Sequence, residues 1–139
     1  MIKAFIKDEL ISIIESLGIE TPEFIICGGD FNTCMESIDK KGGNPNLKQH
    51  AIHEIKNLKN RFNLVDIVRI KHQQEQIFTW EMLKPTLIQE RIDYFFISNS
   101  LQDHIAKCSI VPKTYSDHAL PFIHIKGNFV KTFFIVGYT

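Results

Sequence analysis

The sequence lacks several features that would narrow its function by themselves. Lysine plus arginine and aspartate plus glutamate both number 16, so net charge gives no indication of a polyanionic partner. A balanced total still leaves room for a local basic patch, and therefore for nucleic-acid binding. No apolar run approaches the ~18 residues that a transmembrane helix needs, so we expect no membrane partner. Charged residues interrupt the first apolar stretch, residues 1–17, which predicts that no secretory signal is present.

Cysteine is scarce as well. Cys27, Cys34 and Cys108 are odd in number, and their spacing matches neither a zinc site nor a disulfide framework. Reduced thiols in an intracellular compartment are therefore expected. Because the sequence contains no basic targeting run, it does not distinguish a nuclear from a cytoplasmic location.

One apolar stretch that ends in polar residues organises the chain. Phe24 to Cys27 are apolar without alternation, which predicts a strand buried on both faces. Gly28 and Gly29 follow and allow close approach of a neighbouring strand. Asp30 and Asn32 then come at the carboxyl end of that strand, where open α/β folds bind ligands.

The rest of the 139 residues has the composition of one globular domain, with 44% hydrophobic residues. Hydrophobic periodicity and breaker residues predict the remaining elements. They are helices at Ile2–Leu17 and Leu47–Phe62, a loop at Thr33–Asn46, an extended or irregular crossing at Leu64–Ile70, strands at Ile77–Met82, Arg91–Ser98, Ser109–Val111 and Pro121–Ile125, a helical turn at Leu101–Ala106 and a loop at Lys113–His118.

Several residues have two interpretations at this stage. Asp93 begins an apolar strand, and a buried carboxylate needs a partner, which could be Arg91 as a structural ion pair or a distant histidine at a functional site. Trp80 is interpreted as core rather than as a ligand platform. His50 and His53 are interpreted as surface histidines, because no third ligand is evident for a metal.

Polar residues at the ends of the predicted strands suggest a chemistry. Hydrolysis of a phosphodiester needs carboxylates for a hard cation, a group that prepares water and an imidazole that stabilises the phosphoryl oxygens. Three aspartates, one asparagine and one histidine would supply these parts. They are Asp30, Asp93, Asp117, Asn32 and His118.

The order of these residues resembles the endonuclease/exonuclease/phosphatase superfamily. The segments are Gly29–Asn32, Phe78–Trp80, Arg91–Tyr94 and Ser116–His118. More closely, the chain is similar to the carboxyl-terminal half of the apurinic-like endonuclease domain of non-LTR (LINE-type) retrotransposons. Three segments, Ile38–Gly43, Leu64–Ile67 and Arg91–Tyr94, favour that branch over phosphatases or sphingomyelinases.

The resemblance implies a role for each residue. Asp30 would position or deprotonate the attacking water, Asn32 would orient it or the phosphate, and Asp93 would hold the imidazole of His118. Asp117, together with Asp30, would bind Mg²⁺ or Mn²⁺. Residues that would support the site or contact DNA are Thr79, Arg91, Lys40 and Lys41.

The resemblance also implies an incomplete fold. The expected class is α/β (α+β), half of a four-layer α/β sandwich, with one mixed β-sheet and helices on one face. Residues 1–128 would form the carboxyl-terminal half of the domain, and 129–139 a divergent apolar tail that is either unrelated or an added strand.

No residue before Asp30 fits the metal ligands that the family's first half supplies. We therefore expect weak metal binding, weak or absent DNA nicking, and an exposed sheet face. Such a face favours self-association or a complementing amino-terminal half, and a catalytically dead remnant acting as a binding module is the alternative.

Overall fold

A computed structural model describes Ser12 and Ser16, residues 24–112 and 116–127, and the backbone of residues 133–137. Apart from the two serines, which are helical, the predicted helix Ile2–Leu17 lies outside the described residues. Two helices and nine strands form within the described part. They are β1 (Ile25–Asp30), β2 (Lys40–Lys41), α1 (Gln49–Phe62), β3 (Leu64–Asp66), α2 (Ile67–Lys71), β4 (Trp80–Met82), β5 (Ile88–Glu90), β6 (Asp93–Ser98), β7 (Ile105–Val111), β8 (Leu120–Ile125) and β9 (Phe133–Gly137), with 3₁₀ turns at Ser37–Asp39 and Asn99–His104.

The main sheet has four strands in the order β3-β6-β1-β9. β6 pairs antiparallel with β1 and β3, whereas the backbone of β9 pairs parallel with β1, so the sheet is mixed. Gly28 faces Phe95 across the β1–β6 pair, and a Cβ at Gly28 would collide with the Phe95 ring. The predicted close approach at this glycine is therefore present. The strand pairing of β9 agrees with the added-strand alternative for the tail.

Apolar side chains cover both faces of the main sheet. On one face, Ile55 and Leu58 of α1 pack against Phe96 and its neighbours. On the other face, Ile67 of α2 and Leu101 of the 3₁₀ turn join Ile97. A mixed sheet in an α+β arrangement is as predicted, but the expectation of helices on one face and an exposed opposite face is wrong, because both faces are covered. No helix in the described ranges has the length and apolarity needed to cross a membrane.

Two small antiparallel sheets, also not predicted, lie beside the main one. One has the order β2-β5-β4, and the other pairs β7 with β8. An isolated bridge between Trp80 and His118 connects β4 to the segment before β8. This bridge brings the carboxyl-terminal segment to the edge of the main sheet where Asp30 and Asp93 lie.

Two local predictions need correction. Leu64–Ile70 is extended, as one alternative predicted, only in β3, and from Ile67 it forms the short helix α2. The first turn of α2 is capped where the Asp66 side chain accepts a hydrogen bond from the Arg69 amide. The helical turn at Leu101–Ala106 ends at His104, and β7 begins at Ile105, four residues before the predicted strand. Cross-strand pairing with β8 overrides the weak local preference there.

Candidate active site

Asp30 and Asp93 lie side by side at one end of the main sheet. They are register partners in the β1–β6 pair, Asp30 at the end of its strand and Asp93 at the start of its strand. The Asp30 Oδ1 atom accepts a hydrogen bond of 2.7 Å from the Asn32 amide. This bond fixes the Asp30 side chain beside its neighbour.

His118 completes a group of three with these aspartates. Its Nδ1 atom lies 2.9 Å from Asp93 Oδ2, and its Nε2 atom lies 3.9 Å from Asp30 Oδ2. One ligand atom from each of the three residues lies within 4.8 Å of the others. Asp93 is therefore bonded to the distant histidine and not to Arg91, which resolves the two alternatives left open by the sequence.

The electrostatics of the cluster follow from its two carboxylates. Burial alone would lower the pKa of His118, but the hydrogen bond to Asp93 and the negative charges of Asp93 and Asp30 outweigh burial and raise it. Burial raises the pKa of Asp93, against the opposing effects of Thr79 and His118. The imidazolium form of His118 is thus favoured by its surroundings.

Asn32 adopts a left-handed conformation, with φ of 49°. Asparagine tolerates this region better than most residues, which explains its place after the sharp bend. Its carbonyl oxygen accepts a hydrogen bond of 2.7 Å from the exposed Lys48 ammonium. Lys48 lies directly before α1, and no pattern in the sequence indicates that this cation lies beside the site.

Asp117 is exposed, and the structure does not place it among the three clustered residues. Its Oδ2 atom accepts a hydrogen bond of 3.0 Å from Trp80 Nε1, and this bond lowers the pKa of Asp117. Trp80 is half-buried and lines a cavity of about 300 Å³ together with Asp117 and Ile110. Trp80 is therefore only partly a core residue, and the cavity that it lines is not lined by Asp30, Asp93 or His118.

Thr79 is buried and forms hydrogen bonds with both segments that carry the His118–Asp93 pair. Its Oγ1 atom accepts hydrogen bonds from the amides of Ile92, at 3.0 Å, and Asp93, at 3.1 Å. Its carbonyl oxygen accepts a bond of 2.6 Å from the Ala119 amide, next to His118. With an exposed fraction of 1%, Thr79 supports the site and is not available to contact DNA.

Of the two roles implied for Arg91, supporting the site or contacting DNA, the second is excluded because its side chain is fully buried. Its guanidinium forms bonds with both oxygens of Asp39, at 2.6 and 3.2 Å, and with both oxygens of Asp66, at 3.1 and 2.8 Å. Arg69 Nη2 also lies 2.6 Å from Asp39 Oδ1. Burial alone would lower the pKa of Arg91, but its two carboxylate partners raise it instead.

Sequence reasoning missed this buried network, which we define as Asp39, Asp66, Arg69 and Arg91. One signal was present: three of the segments that favour the retrotransposon branch each contribute one of its residues, Asp39, Asp66 and Arg91. Arg91 was expected to share a strand face with Asp93, but β6 begins only at Asp93, so strand alternation does not apply to Arg91.

The remaining candidate residues lie on the surface or are already paired. The Lys40 ammonium forms an ion pair with Glu90, and its contact with DNA stays a prediction. Lys41 is exposed. His50 and His53 are exposed, as expected for surface histidines. Burial raises the pKa of Cys27 to about 12, and the three cysteines are free and buried.

Comparison with known proteins identifies relatives of this fold. A family model described as "Endonuclease/Exonuclease/phosphatase family" matches residues 4–118. The transposon TX1 uncharacterized 149 kDa protein of Xenopus laevis is 29% identical over 101 residues, 72% of this chain and 8% of that protein. An AP endonuclease from Archaeoglobus fulgidus superposes with a TM-score of 0.70 at 18% identity, over 90% of this chain and 54% of the other. The endonuclease domain of TRAS1, a telomere-specific non-LTR retrotransposon, superposes with a TM-score of 0.68 at 15% identity, over 93% of this chain and 54% of the other.

At these identities the two structural superpositions show the fold alone. They confirm the predicted fold class, and the transposon relatives agree with the predicted retrotransposon resemblance. The chain spans about half the length of the two solved chains and a small part of the transposon protein. Since the family model covers most of the sequence, from residue 4 to the clustered His118, the chain belongs to the endonuclease/exonuclease/phosphatase family.

Proposed function

We propose that residues 1–128 provide the catalytic carboxylates and histidine of a metal-dependent phosphodiester hydrolase that nicks DNA by in-line attack of water. A nuclease-like hydrolase domain follows from the family. The observation that carries the finer proposal is the clustering of Asp30, Asp93 and His118 within 4.8 Å of one another. A buried ion pair would not need an exposed imidazole edge facing a second carboxylate.

Each clustered side chain has a distinct task in this proposal. Asp93 holds Nδ1 of His118, which leaves Nε2 directed to the Asp30 side of the cluster. Since the surroundings of His118 favour the imidazolium, Nε2 can donate a hydrogen bond to a phosphoryl oxygen as negative charge develops there. Asp30 accepts the proton of the attacking water, and Asn32 orients the water or the phosphate.

The family is generally metal-dependent, and Asp30 belongs to a group of three possible ligands that suits a hydrated cation. Asp30 and the exposed Asp117 would hold Mg²⁺ or Mn²⁺ through carboxylate oxygens, with water completing the shell. The bound cation would neutralise charge on the scissile phosphate. Because this donor set contains few carboxylates, we propose weak binding, and the isolated chain should nick DNA slowly or not at all.

DNA is the proposed substrate because the structural relatives are an AP endonuclease and a retrotransposon endonuclease domain. An exposed cation lies beside the clustered residues, because the Lys48 ammonium donates to the Asn32 carbonyl oxygen, two residues after Asp30. Lys41, in β2, is a second exposed lysine. Such ammonium groups bind phosphates without reading sequence. They would place the backbone of DNA over the cluster.

Nicking of supercoiled plasmid tests the proposal. The protein is incubated with plasmid and Mg²⁺ or Mn²⁺, and conversion to open circles is measured for wild type, Asp30→Asn and His118→Gln. His53→Gln is the matched control, since it makes the same change at an exposed histidine of α1. We expect slow nicking that both site variants abolish and the control retains. Equal residual nicking in wild type and both site variants would reject the proposal, and no nicking at all would favour the catalytically dead remnant.

A binding role is the second candidate, and a specific surface favours it. On the β7–β8 sheet, Val111 and its register partner Leu120 are 48% and 62% exposed, and Phe122 is 43% exposed. These three residues, which we call the β8 face, are large and apolar, and such groups on a surface mark interaction sites. We propose that the β8 face packs on a polypeptide corresponding to the part of the relatives' domain that this chain does not span.

Reconstitution tests this second candidate. The segment that precedes the matched region of the Xenopus transposon protein is mixed with this chain, and complex formation is followed by analytical ultracentrifugation. A one-to-one complex that the double variant Leu120→Lys/Phe122→Lys abolishes is expected. Self-association of the chain through the same residues would replace the proposed partner with a second copy. A clean monomer that binds neither the segment nor an apolar dye would reject the binding role.

A further inference from the structure

Residues 91–93 lead into β6, and most of their backbone amides and carbonyl groups form hydrogen bonds. The Arg91 amide donates to the Asp39 carbonyl oxygen at 2.8 Å. The amides of Ile92 and Asp93 donate to Thr79 Oγ1, and the Ile92 carbonyl oxygen accepts from the Phe31 amide at 2.8 Å. Asp93 therefore has little freedom to move relative to Asp30.

The Arg91 side chain connects this segment to two other parts of the chain. Its planar guanidinium uses Nε, Nη1 and Nη2 to reach Asp39 and Asp66, which belong to segments 52 and 25 residues away in sequence. Such a fork fixes orientation as well as distance, which a lysine ammonium does not. Asp39 follows the loop that leaves Asp30, and Asp66 ends β3, so Arg91 couples three separate parts of the chain.

Tyr94 extends the coupling to the loop after Asp30. Its hydroxyl lies 2.7 Å from the Arg91 carbonyl oxygen and 2.8 Å from the Thr33 carbonyl oxygen, and it accepts a bond of 3.1 Å from the Met35 amide. The Arg91 guanidinium also lies over the Tyr94 ring, 4.6 Å from its centroid. The same two residues thus contact both the strand that carries Asp93 and the loop that follows Asp30 and Asn32.

A buried ion network is weak evidence for a stabilising role, because apolar residues of similar volume often stabilise a fold equally well. The geometric role of this network is better supported by its position directly before Asp93. We infer that Arg91 is a positioning residue, which acts through Asp39, Asp66 and Tyr94 to hold Asp93 at the distance where it bonds His118. The inference rests on the proposed function only in that Asp93 and His118 act as a pair.

The test is a spectroscopic signature of that pair that does not depend on nicking. An imidazole Nδ1–H that donates to a carboxylate gives a downfield proton signal, which proton NMR detects in the wild-type chain and which disappears in His118→Gln. Arg91→Lys keeps the charge and loses the fork. Ile97→Val, a buried change in the same strand that leaves the network intact, is the control.

We expect the downfield signal in wild type and Ile97→Val, and its loss in Arg91→Lys with a still dispersed spectrum. If Arg91→Lys fails to fold, Tyr94→Phe removes only the hydroxyl that links the Arg91 carbonyl to the loop, and it should also weaken the signal. An unchanged signal in the folded variants would overturn the positioning role. Absence of the signal in wild type would overturn the pair itself and this inference with it. Where nicking is measurable, kcat should fall on the order of 100-fold with KM unchanged.

Discussion

Two charged clusters lie next to each other in this fold and differ in how their charges are balanced. In the buried network, the carboxylates of Asp39 and Asp66 face the guanidinium groups of Arg69 and Arg91. In the open cluster, Asp30 and Asp93 face one imidazole, and the His118 side chain remains 23% exposed. In the buried network the positive and negative charges are equal in number. In the open cluster the carboxylates outnumber the imidazole, so negative charge remains that a cation could neutralise.

Arg91 and Asp93 have one position between them and belong to different clusters. Arg91 lies just before β6 and points into the interior, while Asp93 begins β6 and faces the open cluster. A charge that is fully paired inside the fold fixes geometry, and a charge that is left unbalanced at the surface can do chemistry. Substitutions in the buried network should therefore lower the free energy of unfolding, whereas substitutions in the open cluster should mainly change cation binding.

The largest expected effect comes from breaking the buried network. Arg91→Met keeps an unbranched apolar side chain but leaves two carboxylates without their main partner, one of them fully buried. Removing one partner of a buried ion pair typically costs about 3–5 kcal/mol. Urea unfolding followed by circular dichroism measures this loss. By contrast, Asp30→Asn in the open cluster should leave the free energy of unfolding nearly unchanged, and equal losses in both variants would contradict the distinction between the clusters.

A smaller effect is expected where the two clusters are joined. Thr79→Val removes the oxygen that accepts from the Ile92 and Asp93 amides, and valine preserves the shape. Buried amides without an acceptor are costly, so we expect a loss of about 2 kcal/mol in the free energy of unfolding. Thr79→Ser keeps the oxygen and should retain most of the stability. If Val and Ser destabilise equally, the methyl group and not the hydroxyl matters at this position.

Much of this fold could be predicted from the sequence because its main strands and helix carry strong local patterns. The apolar run before Asp30 and the spacing of Ile55 and Leu58 report burial directly. The position of polar residues at the ends of predicted strands likewise indicated Asp30, Asp93 and His118, which the fold brings together. The signal there is the contrast between an apolar strand and the polar residue that borders it.

The buried network could not be predicted, because a pattern reports which residues are buried but not which residue each one meets. Asp39 lies beside Lys40, Lys41 and two glycines, and the whole segment has the composition of a solvated loop. Only pairing of β2 with β5, some 50 residues along the chain, turns that segment inward. The bond between Trp80 and Asp117 could not be predicted for a related reason, because it depends on a contact 37 residues distant.

The open cluster should also make stability depend on pH in the neutral range. The pKa of His118 is raised in the folded chain from its ordinary 6.5, so the folded state holds this proton more tightly than the unfolded state does. The stabilisation is fully present below pH 6.5 and is lost as pH rises through the folded-state pKa. The hydrogen bond to the Cys108 carbonyl oxygen, together with Glu75, raises the pKa of His72 in the same direction. We therefore expect the free energy of unfolding, measured with a chelator present, to fall from pH 6 to pH 8 by about 1 kcal/mol or less.

Single replacements separate the two histidines. His118→Gln should flatten part of the decline with pH, and His72→Gln should flatten the rest. The Arg91 guanidinium contributes nothing in this range, because the carboxylates beside it raise its pKa further above neutral pH. A decline that persists unchanged in His118→Gln would show that the open cluster does not hold its proton as the geometry indicates.

The smallest effect, and the one that most sharply separates the clusters, is cation binding. Of the two clusters, the open one has the accessible carboxylate, since the Asp30 side chain is 26% exposed and that of Asp39 is fully buried. Mn²⁺ should therefore broaden the NMR signals of Asp30 and His118 and leave those of Asp39 and Arg91 sharp. When the cation concentration equals its dissociation constant, binding adds only about 0.4 kcal/mol to stability, so line broadening is the more sensitive measurement. Asp30→Asn should abolish the broadening, and Asp117→Asn should reduce it if Asp117 shares the ion. Broadening that survives in Asp30→Asn would place the cation elsewhere on the chain and remove the reason for the unbalanced charge.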